Sequence, residues 1–378
     1  MTTRTTSLLA AVLAAGAVAA AQDQPAPAPS PPAPPAPEQP APAEPAVRPG
    51  RGTSAQNNAM EGEINPALDA AVARGLEALA RMQDPDGGFG GQRGRNVAVT
   101  ALACLAFMAD GHVPGRGEYG DVVRRGLEAV LSSSAETGLL AADSANGPMY
   151  GHGFATLFLG EVYGMTQGGG DTALAARVHE VLTKAVRLIE RTQNNEGGWR
   201  YNPVPYDADI SVTICQIMAL RSARNAGIEV SADVIDRAVR YVRTCQNPDG
   251  GFRYQASAGS SAWPRSAAGV ASLYYAGIYE DDAIEKGLRY LTLTAMPGVA
   301  GVDSRLHYFY GHYYAVQTMY LAGGQWWERW WPAIRAELLD RQQPDGAWAD
   351  PSVGPAYGTA MALIILQMPK RYLPIFQK

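Results

Sequence analysis

Two kinds of helical pattern alternate along this chain. DAAVARGLEALARMQ, RVHEVLTKAVRLIERTQ, VIDRAVRYVRTCQ and WWPAIRAELLDRQ each set apolar residues at i, i+3, i+4 and i+7 with charges between them, the pattern of a helix with one wet face. Each ends at a glutamine that opens a short turn phrase: QDPDGGFG from Gln83, QNNEGGWR from Gln193, QNPDGGFR from Gln246 and QQPDGAWA from Gln342. A second helix follows each phrase, almost uncharged and rich in small and apolar residues: NVAVTALACLAFMA, DISVTICQIMALRSA, SAAGVASLYYAGI and YGTAMALIILQM. A helix apolar on all sides is buried on all sides.

Two more units keep the alternation without the phrase. DVVRRGLEAVLSSSAETGLL precedes MYGHGFATLFLGEVYG, with Ser133 where glutamine is expected, and DDAIEKGLRYLTL precedes LHYFYGHYYAVQTMYLAGG, with the turn degenerate near residue 292. The turns then start at 83, 133, 193, 246, 292 and 342, about fifty residues apart, the mark of a repeat architecture. Six pairs of one charged and one uncharged helix predict an all-α fold, an α/α toroid or (α/α)6 barrel with an outer amphipathic ring around an inner buried one. The absence of polar terminal caps points to closure, in which the first and last repeats cover each other. The inner helices then run in parallel, with all their N-termini at one end, where a cavity would open. In the turn phrase, glycine tolerates positive φ after the outer helix, the aromatic residue covers apolar surface, and the glutamine amide can bond an adjacent helix end. The phrase reads as a structural clamp between repeats.

Composition changes the picture mainly at the N-terminus. Arg4, the apolar run SLLAAVLAAGAV and the small-residue site Ala19-Ala20-Ala21 make residues 1–21 an expected secretory signal. Residues 22–64 read as a Pro/Ala-rich linker, with twelve of the chain's 27 prolines between 22 and 50, and the repeat domain is expected over 65–378. Export to a periplasm or beyond follows. A net charge of -5 without any basic block argues against nucleic acid as a partner. Cys104, Cys215 and Cys245 are too few for a disulfide framework; buried thiols are the simplest reading, and export leaves a Cys215–Cys245 disulfide open. Trp326, Trp327, Trp330 and Trp331 lie on one side of the sixth outer helix, as core or as a docking patch for a protein or a peripheral membrane contact.

The phrases Gln83 to Phe89, Gln193 to Trp199, Gln246 to Phe252 and Gln342 to Trp348 resemble the QW motifs of the prenyltransferase/squalene oxidase repeat family, which includes squalene-hopene and oxidosqualene cyclases and protein prenyltransferase β subunits. The resemblance covers roughly residues 65 to 378. It implies an acid motif of the form D-x-D-D at the start of an inner helix, whose middle aspartate protonates an alkene or epoxide. The comparable place reads Asp207-Ala208-Asp209-Ile210, which makes Asp209 the implied acid and Asp207 its neighbour, with isoleucine replacing the third aspartate. The same two aspartates also suit helix capping. The zinc site of the prenyltransferase branch needs an Asp and a Cys two residues apart; here Asp209 stands two beyond Asp207, so no metal and no cofactor is expected.

His152 in MYGHGF and His312 in FYGHYY share a local pattern at the start of inner helices. His312 is a candidate for proton transfer and His152 for substrate binding, against a packing role for both. Aromatic residues crowd the same helix ends: Tyr150, Phe154, Trp263, Tyr308, Tyr310, Tyr313 and Tyr357. Their π faces suit a carbocation, and core packing is the alternative. Three functions stand at this point. The first is an exported cyclase-like protein binding an isoprenoid or other apolar ligand, with acid-initiated isomerase or lyase chemistry at Asp209. The second is a non-catalytic binding or scaffold domain for a protein or cell-envelope partner. The third, a polysaccharide-processing toroid, lacks a facing carboxylate pair.

Overall fold

Twelve helices form in the computed structural model, which describes residues 62–91, 94–142, 147–166, 171–299 and 307–377. The expected signal (1–21) and the linker as far as residue 61 lie outside the described residues. The amphipathic helices are α1 (Pro66–Arg81), α3 (Gly120–Ser132), α5 (Thr172–Arg191), α7 (Ala232–Thr244), α9 (Asp282–Thr294) and α11 (Gly324–Arg341). The apolar ones are α2 (Val97–Met108), α4 (Met149–Thr166), α6 (Ile210–Asn225), α8 (Trp263–Tyr275), α10 (Tyr308–Ala322) and α12 (Pro355–Leu366). Asn65, Asn96, Asp171, Asp209 and Asp281 cap five of them by accepting N–H bonds into the first turn. The only strands among the described residues are the two-residue pair β1 (Gly90–Gly91) and β2 (Gly94–Arg95) after the first turn phrase.

The apolar helices pack in the cyclic order α2, α4, α6, α8, α10, α12 and back to α2, each with its amphipathic partner outside. This is the closed α/α toroid expected from the sequence. Neighbouring inner helices run in the same direction: Gly153 of α4 faces Cys215 of α6, and two turns on Gly160 faces Ser222. A Cβ at Gly160 would stand 2.3 Å from Ser222 Oγ, so glycine is what lets these two helices approach.

The turn phrase works as a clamp. The Nε2 group of Gln83 donates to Gly87 O in its own turn and to Val122 O on the next outer helix, both at 2.9 Å. Gln193 repeats this with Gly197 O and Val234 O, Gln246 with Gly250 O and Ala283 O, and Gln342 with Gly346 O and Ala71 O, at 2.8–3.0 Å. The last of these ties the sixth repeat to the first. The turn glycine is required twice over: Gly346 has φ 90°, and a Cβ there would lie 2.6 Å from Arg74 O on α1.

In the second repeat the glutamine position is Ser134, one residue beyond the expected Ser133. Ser134 pairs with Leu140 as Gln83 pairs with Phe89, and its short side chain reaches only Ala135 O. In the fifth repeat Gly298 N–H reaches across to Glu337 Oε2 of α11 at 2.8 Å, a side-chain clamp from the opposite partner.

Both chain ends of the folded unit are tied down. Folding includes Gly62 and Glu63, ahead of the expected start at residue 65. Glu63 accepts from Trp327 Nε1 at 2.5 Å and Trp331 Nε1 at 3.3 Å, while Arg335 holds Gly62 O. The tryptophan cluster thus anchors the entering segment; Trp327, Trp330 and Trp331 are buried and Trp326 is half-buried. All three cysteines are free and buried, so Cys215 and Cys245 are not bridged.

The C-terminal segment covers the far end of the inner ring. Gln367 donates to Ala106 O at 2.9 Å, and Ile375 N–H donates to Glu161 Oε2 at 3.1 Å. Glu161 is buried beside Ser222 Oγ at 2.7 Å, and that hydroxyl is also 3.0 Å from Leu157 O. A hydroxyl has one proton; if Ser222 donates it to Leu157, a protonated Glu161 completes the set by donating to Ser222. Burial pushes the Glu161 carboxyl up to about 7 against these hydrogen bonds.

Gln342→Ala removes the bond to Ala71 that ties the sixth repeat to the first, together with the bond inside its own turn, and is expected to lower stability by about 1–3 kcal/mol in denaturant unfolding; an unchanged midpoint would show that this clamp does not carry the closure. Glu161→Gln keeps the geometry, with its amide donating to Ser222 and accepting from Ile375. The native parent holds a proton that the unfolded chain has lost, so its stability falls as pH rises from the ordinary carboxylate range through about 7. The variant should lack the share of that pH dependence that Glu161 contributes and be the more stable protein above about pH 7, as read by the difference between parent and variant in thermal unfolding against pH.

Candidate active site

The segment from Trp199 to Ile210 links the third turn phrase to α6 and carries the candidate acid. Asp209 N–H donates to Trp199 O at 3.0 Å, and Ile210 N–H to Tyr254 O at 3.0 Å, which fixes the segment between the third and fourth repeats. Asp209 is completely buried. Its Oδ1 accepts the N–H groups of Ser211 at 2.8 Å and Val212 at 2.9 Å, which is the helix cap. Its Oδ2 has no hydrogen bond. The capping and acid readings of this residue therefore do not compete, because each uses a different oxygen.

Arg200 stands beside that open oxygen and is itself bonded to Asp207. Arg200 Nε stands 3.9 Å from Asp209 Oδ2, while Arg200 Nη1 bonds Asp207 Oδ2 at 2.5 Å. Asp207 itself is 42 % exposed in its side chain, so the two aspartates occupy different environments. The Arg200 guanidinium lies 5.1 Å from the Tyr201 ring centre and 5.7 Å from that of Tyr254, whose hydroxyls touch each other. Burial pushes the Asp209 carboxyl up to about 6, outweighing the Val212 and Ser211 N–H groups, Arg200 and the nearby Tyr254 hydroxyl, which favour the anion.

Tyr150 and Tyr310 stand beside Asp209, both half-buried at the starts of α4 and α10. The Tyr310 hydroxyl donates to Ser211 O at 3.2 Å, and the Tyr150 ring lies 6.0 Å from Tyr201. One turn deeper, Tyr314 OH is 3.3 Å from Cys215 Sγ and the Tyr313 ring is 6.0 Å from Phe154. Tyr357, half-buried at the start of α12, joins the same side near Tyr313 and Cys215. Burial pushes the Cys215 thiol up to about 12, which makes it a neutral apolar wall and not a nucleophile.

The other candidates lie in the layer between the rings. In the first, third, fourth and sixth repeats the N–H of the phrase's aromatic residue donates to a hydroxyl in the inner helix: Phe89 to Thr100, Trp199 to Thr213, Phe252 to Ser266 and Trp348 to Thr359, at 2.8–3.1 Å. His152 takes that place in the second repeat. Its Nδ1 accepts from Leu140 N–H at 3.1 Å and its Nε2 faces Ala185 O at 3.2 Å, so both ring nitrogens are engaged with backbone. Burial draws its pKa down to about 4.

His312 stands at the same point of α10 in the fifth repeat, but its buried Nδ1 has no hydrogen-bond partner. It is wedged against Tyr308, Trp263 and Trp330 at ring distances of 4.5, 4.8 and 5.9 Å, and burial draws its pKa down to about 3. Trp263 and Tyr308 belong to this packing cluster, with Arg341 4.2 Å over the Tyr308 ring. Asp209, Tyr150 and Tyr310 thus come together, with Asp207 joined through Arg200 and Tyr357 one layer away beside Tyr313 and Cys215, while His152, His312, Trp263 and Tyr308 make their contacts elsewhere.

Arg200, Tyr201 and Tyr254 were not singled out from the sequence. A signal for them exists: Gly-Trp-Arg-Tyr at 198–201 and Gly-Phe-Arg-Tyr at 251–254 extend the turn phrase by the same two residues, in only those two repeats. Among the described residues, no three His, Cys, Asp or Glu side chains converge as a metal site, and no helix is long and apolar enough to cross a membrane.

Comparison with known proteins agrees with this architecture. The drimenyl diphosphate synthase of Streptomyces showdoensis is 27% identical over 183 residues, 48% of this chain and 32% of that protein; the chain spans about a third of the length of this curated relative. Among solved structures, the type II terpene cyclase MstE from Scytonema superposes with a TM-score of 0.58 at 14% identity, over 82% of this chain and 100% of that one. A variant of that enzyme holding its substrate geranylgeranyl dihydroxybenzoate gives 0.56 at 12%, over 82% and 98%. The alpha-1,6-mannanase GH76A of Salegentibacter sp. HEL1_6 gives 0.60 at 9%, over 79% and 98%. At these identities the structural likeness establishes the fold alone, since toroids host unrelated chemistries. The prenyltransferase alpha-alpha toroid domain matches residues 62–148 and 171–308, and the chain belongs to that family.

Proposed function

We propose that this protein is a cyclase-like toroid that takes up an isoprenoid or other apolar ligand and protonates it at Asp209. The observation that carries this reading is a fully buried carboxyl with one oxygen fixed by two backbone N–H groups and the other free of hydrogen bonds, among tyrosine rings. Protonating an alkene needs an acid that keeps its proton in a dry site, and burial provides that condition. The relatives that act on isoprenoid substrates support the ligand class.

In the proposed step the proton on Asp209 Oδ2 passes to an alkene carbon, whose π electrons form the new C–H bond and leave a tertiary cation. A second alkene of the same chain closes a ring on that cation, a carbon next to the final cation loses a proton to water while its C–H electrons form the new alkene, and Asp209 takes a proton back from solvent, so the net change is an isomerisation. The carboxylate left behind keeps its two N–H donors and gains the field of Arg200. The faces of Tyr150, Tyr310 and Tyr357 suit the migrating positive charge. The apolar leader at 1–21 supports export, which would separate this activity from substrates made in the cytoplasm.

Incubation with squalene, geranylgeraniol and geranylgeranyl diphosphate, followed by mass spectrometry, should yield a cyclic isomer of one of them. Asp209→Asn should cut that product at least about 100-fold while the fold persists, because asparagine caps a helix as well as aspartate. Ligand binding without turnover would favour the non-catalytic binding domain. Independently of substrate, the native protein holds a proton at Asp209 that the unfolded chain releases, so this site loses stability as pH rises through about 6. Asp209→Asn should therefore be more stable than the parent at about pH 8, by on the order of 3 kcal/mol at most, and indistinguishable at about pH 3.

A further inference from the structure

Arg200 lies between two carboxylates and bonds only one. Nη1 is on Asp207 Oδ2 at 2.5 Å, and Nε stops 3.9 Å from Asp209 Oδ2, outside hydrogen-bond range. A movement of about 1 Å would turn the second contact into a charge-assisted hydrogen bond. Asp209 would then be a buried, paired carboxylate, and a paired carboxylate gives up its proton far too easily to reach an alkene.

The titratable groups in the neighbourhood of Asp209 are Cys215 on its own helix α6 and, from other elements, Tyr150 of α4, Tyr241 of α7, Tyr254 of the fourth turn and Tyr310 of α10. Their hydroxyls and thiol are all driven upward by burial and stay neutral. Arg200 and Asp207 are thus the charged pair that acts on Asp209, and the exposed position of Asp207 draws the guanidinium toward solvent.

We propose that Asp207 is a positioning residue that holds the Arg200 guanidinium off the open Asp209 oxygen and in waiting for the negative charge that forms there on proton transfer. This rests on the reading of Asp209 as an acid. It assigns the first aspartate of the motif a role that needs no third aspartate at position 210, where isoleucine stands. Tyr201 and Tyr254 share the task by holding the guanidinium from its faces.

The test reads the protonation of Asp209 without any substrate, so its result is separable from the presence or absence of cyclase product. The full folded chain is labelled with carboxyl-¹³C aspartate, and the Asp209 signal is assigned by its loss in Asp209→Asn. Asp207→Asn should move the Asp209 titration midpoint down by about one pH unit, a tenfold change, as Arg200 swings onto it. Asp207→Glu should restore the midpoint, and Arg200→Gln should raise it. The deciding measurement is the double variant Arg200→Gln/Asp207→Asn: if Asp207 acts through Arg200, its effect shrinks to a small fraction once the arginine is gone. A shift of the same size in both backgrounds would make Asp207 a direct field effect and overturn the proposal, as would an unmoved midpoint in Asp207→Asn.

Discussion

A glutamine amide carries two N–H groups, and in four of the six repeats one bonds the glutamine's own turn while the other bonds the next outer helix. Everything else in the structure depends on that pairing. Each bond contributes only about 1 kcal/mol, but together they set the offset of one helical hairpin against the next, and a ring closes only if the offsets sum to a full turn. The contact of Gln342 with Ala71 is where that condition is met. Where the glutamine is missing, the chain compensates locally: close glycine packing joins α4 to α6, and Glu337 reaches back to Gly298.

Closure has a chemical consequence. The polar side chains sealed into the interior are mostly hydroxyls and amides, and among the described residues the buried carboxyls are Asp209, Glu161 and Asp350. Asp209 and Glu161 lie at opposite ends of the inner ring, both buried, both biased toward the neutral form by burial. Their surroundings differ. Both oxygens of Glu161 have hydrogen-bond partners, including the backbone of the C-terminal segment, so it behaves as a structural peg. Asp209 is half satisfied, with one oxygen in the helix cap and the other open beside tyrosines and an arginine held at a distance. A half-satisfied buried acid costs stability, and a site that keeps one has a use for it more readily than a site that keeps a fully bonded one.

His152 shows how a local pattern acquires its meaning inside a repeat. Tyr-Gly-His at 150–152 and 310–312 looks like a pair of polar groups at a cavity mouth. In the toroid that position is the one where Thr100, Thr213, Ser266 and Thr359 receive the N–H of the turn's aromatic residue, and His152 does the same for Leu140. Aligning the repeats on that hydroxyl would have assigned His152 to the turn from sequence alone. The same alignment would have placed the glutamine position at Ser134, since it is spacing to the glycine of the turn, and not to the end of the helical pattern, that fixes the register.

By itself the sequence determined the twelve helices, their sorting into wet and dry kinds, the turn chemistry and the number of repeats, because all of these follow from periodicity and from backbone conformations only glycine adopts easily. It also marked Asp207 and Asp209 as the pair to watch. Tertiary structure alone decided that Asp209 is sealed from water while Asp207 is not, and that Arg200, Tyr201 and Tyr254 meet there. These depend on which residues from separate repeats are brought within a few ångströms. The direction of a side chain at a helix start, inward to the ring axis or outward to the next layer, is set by a rotation of the helix that no local pattern records.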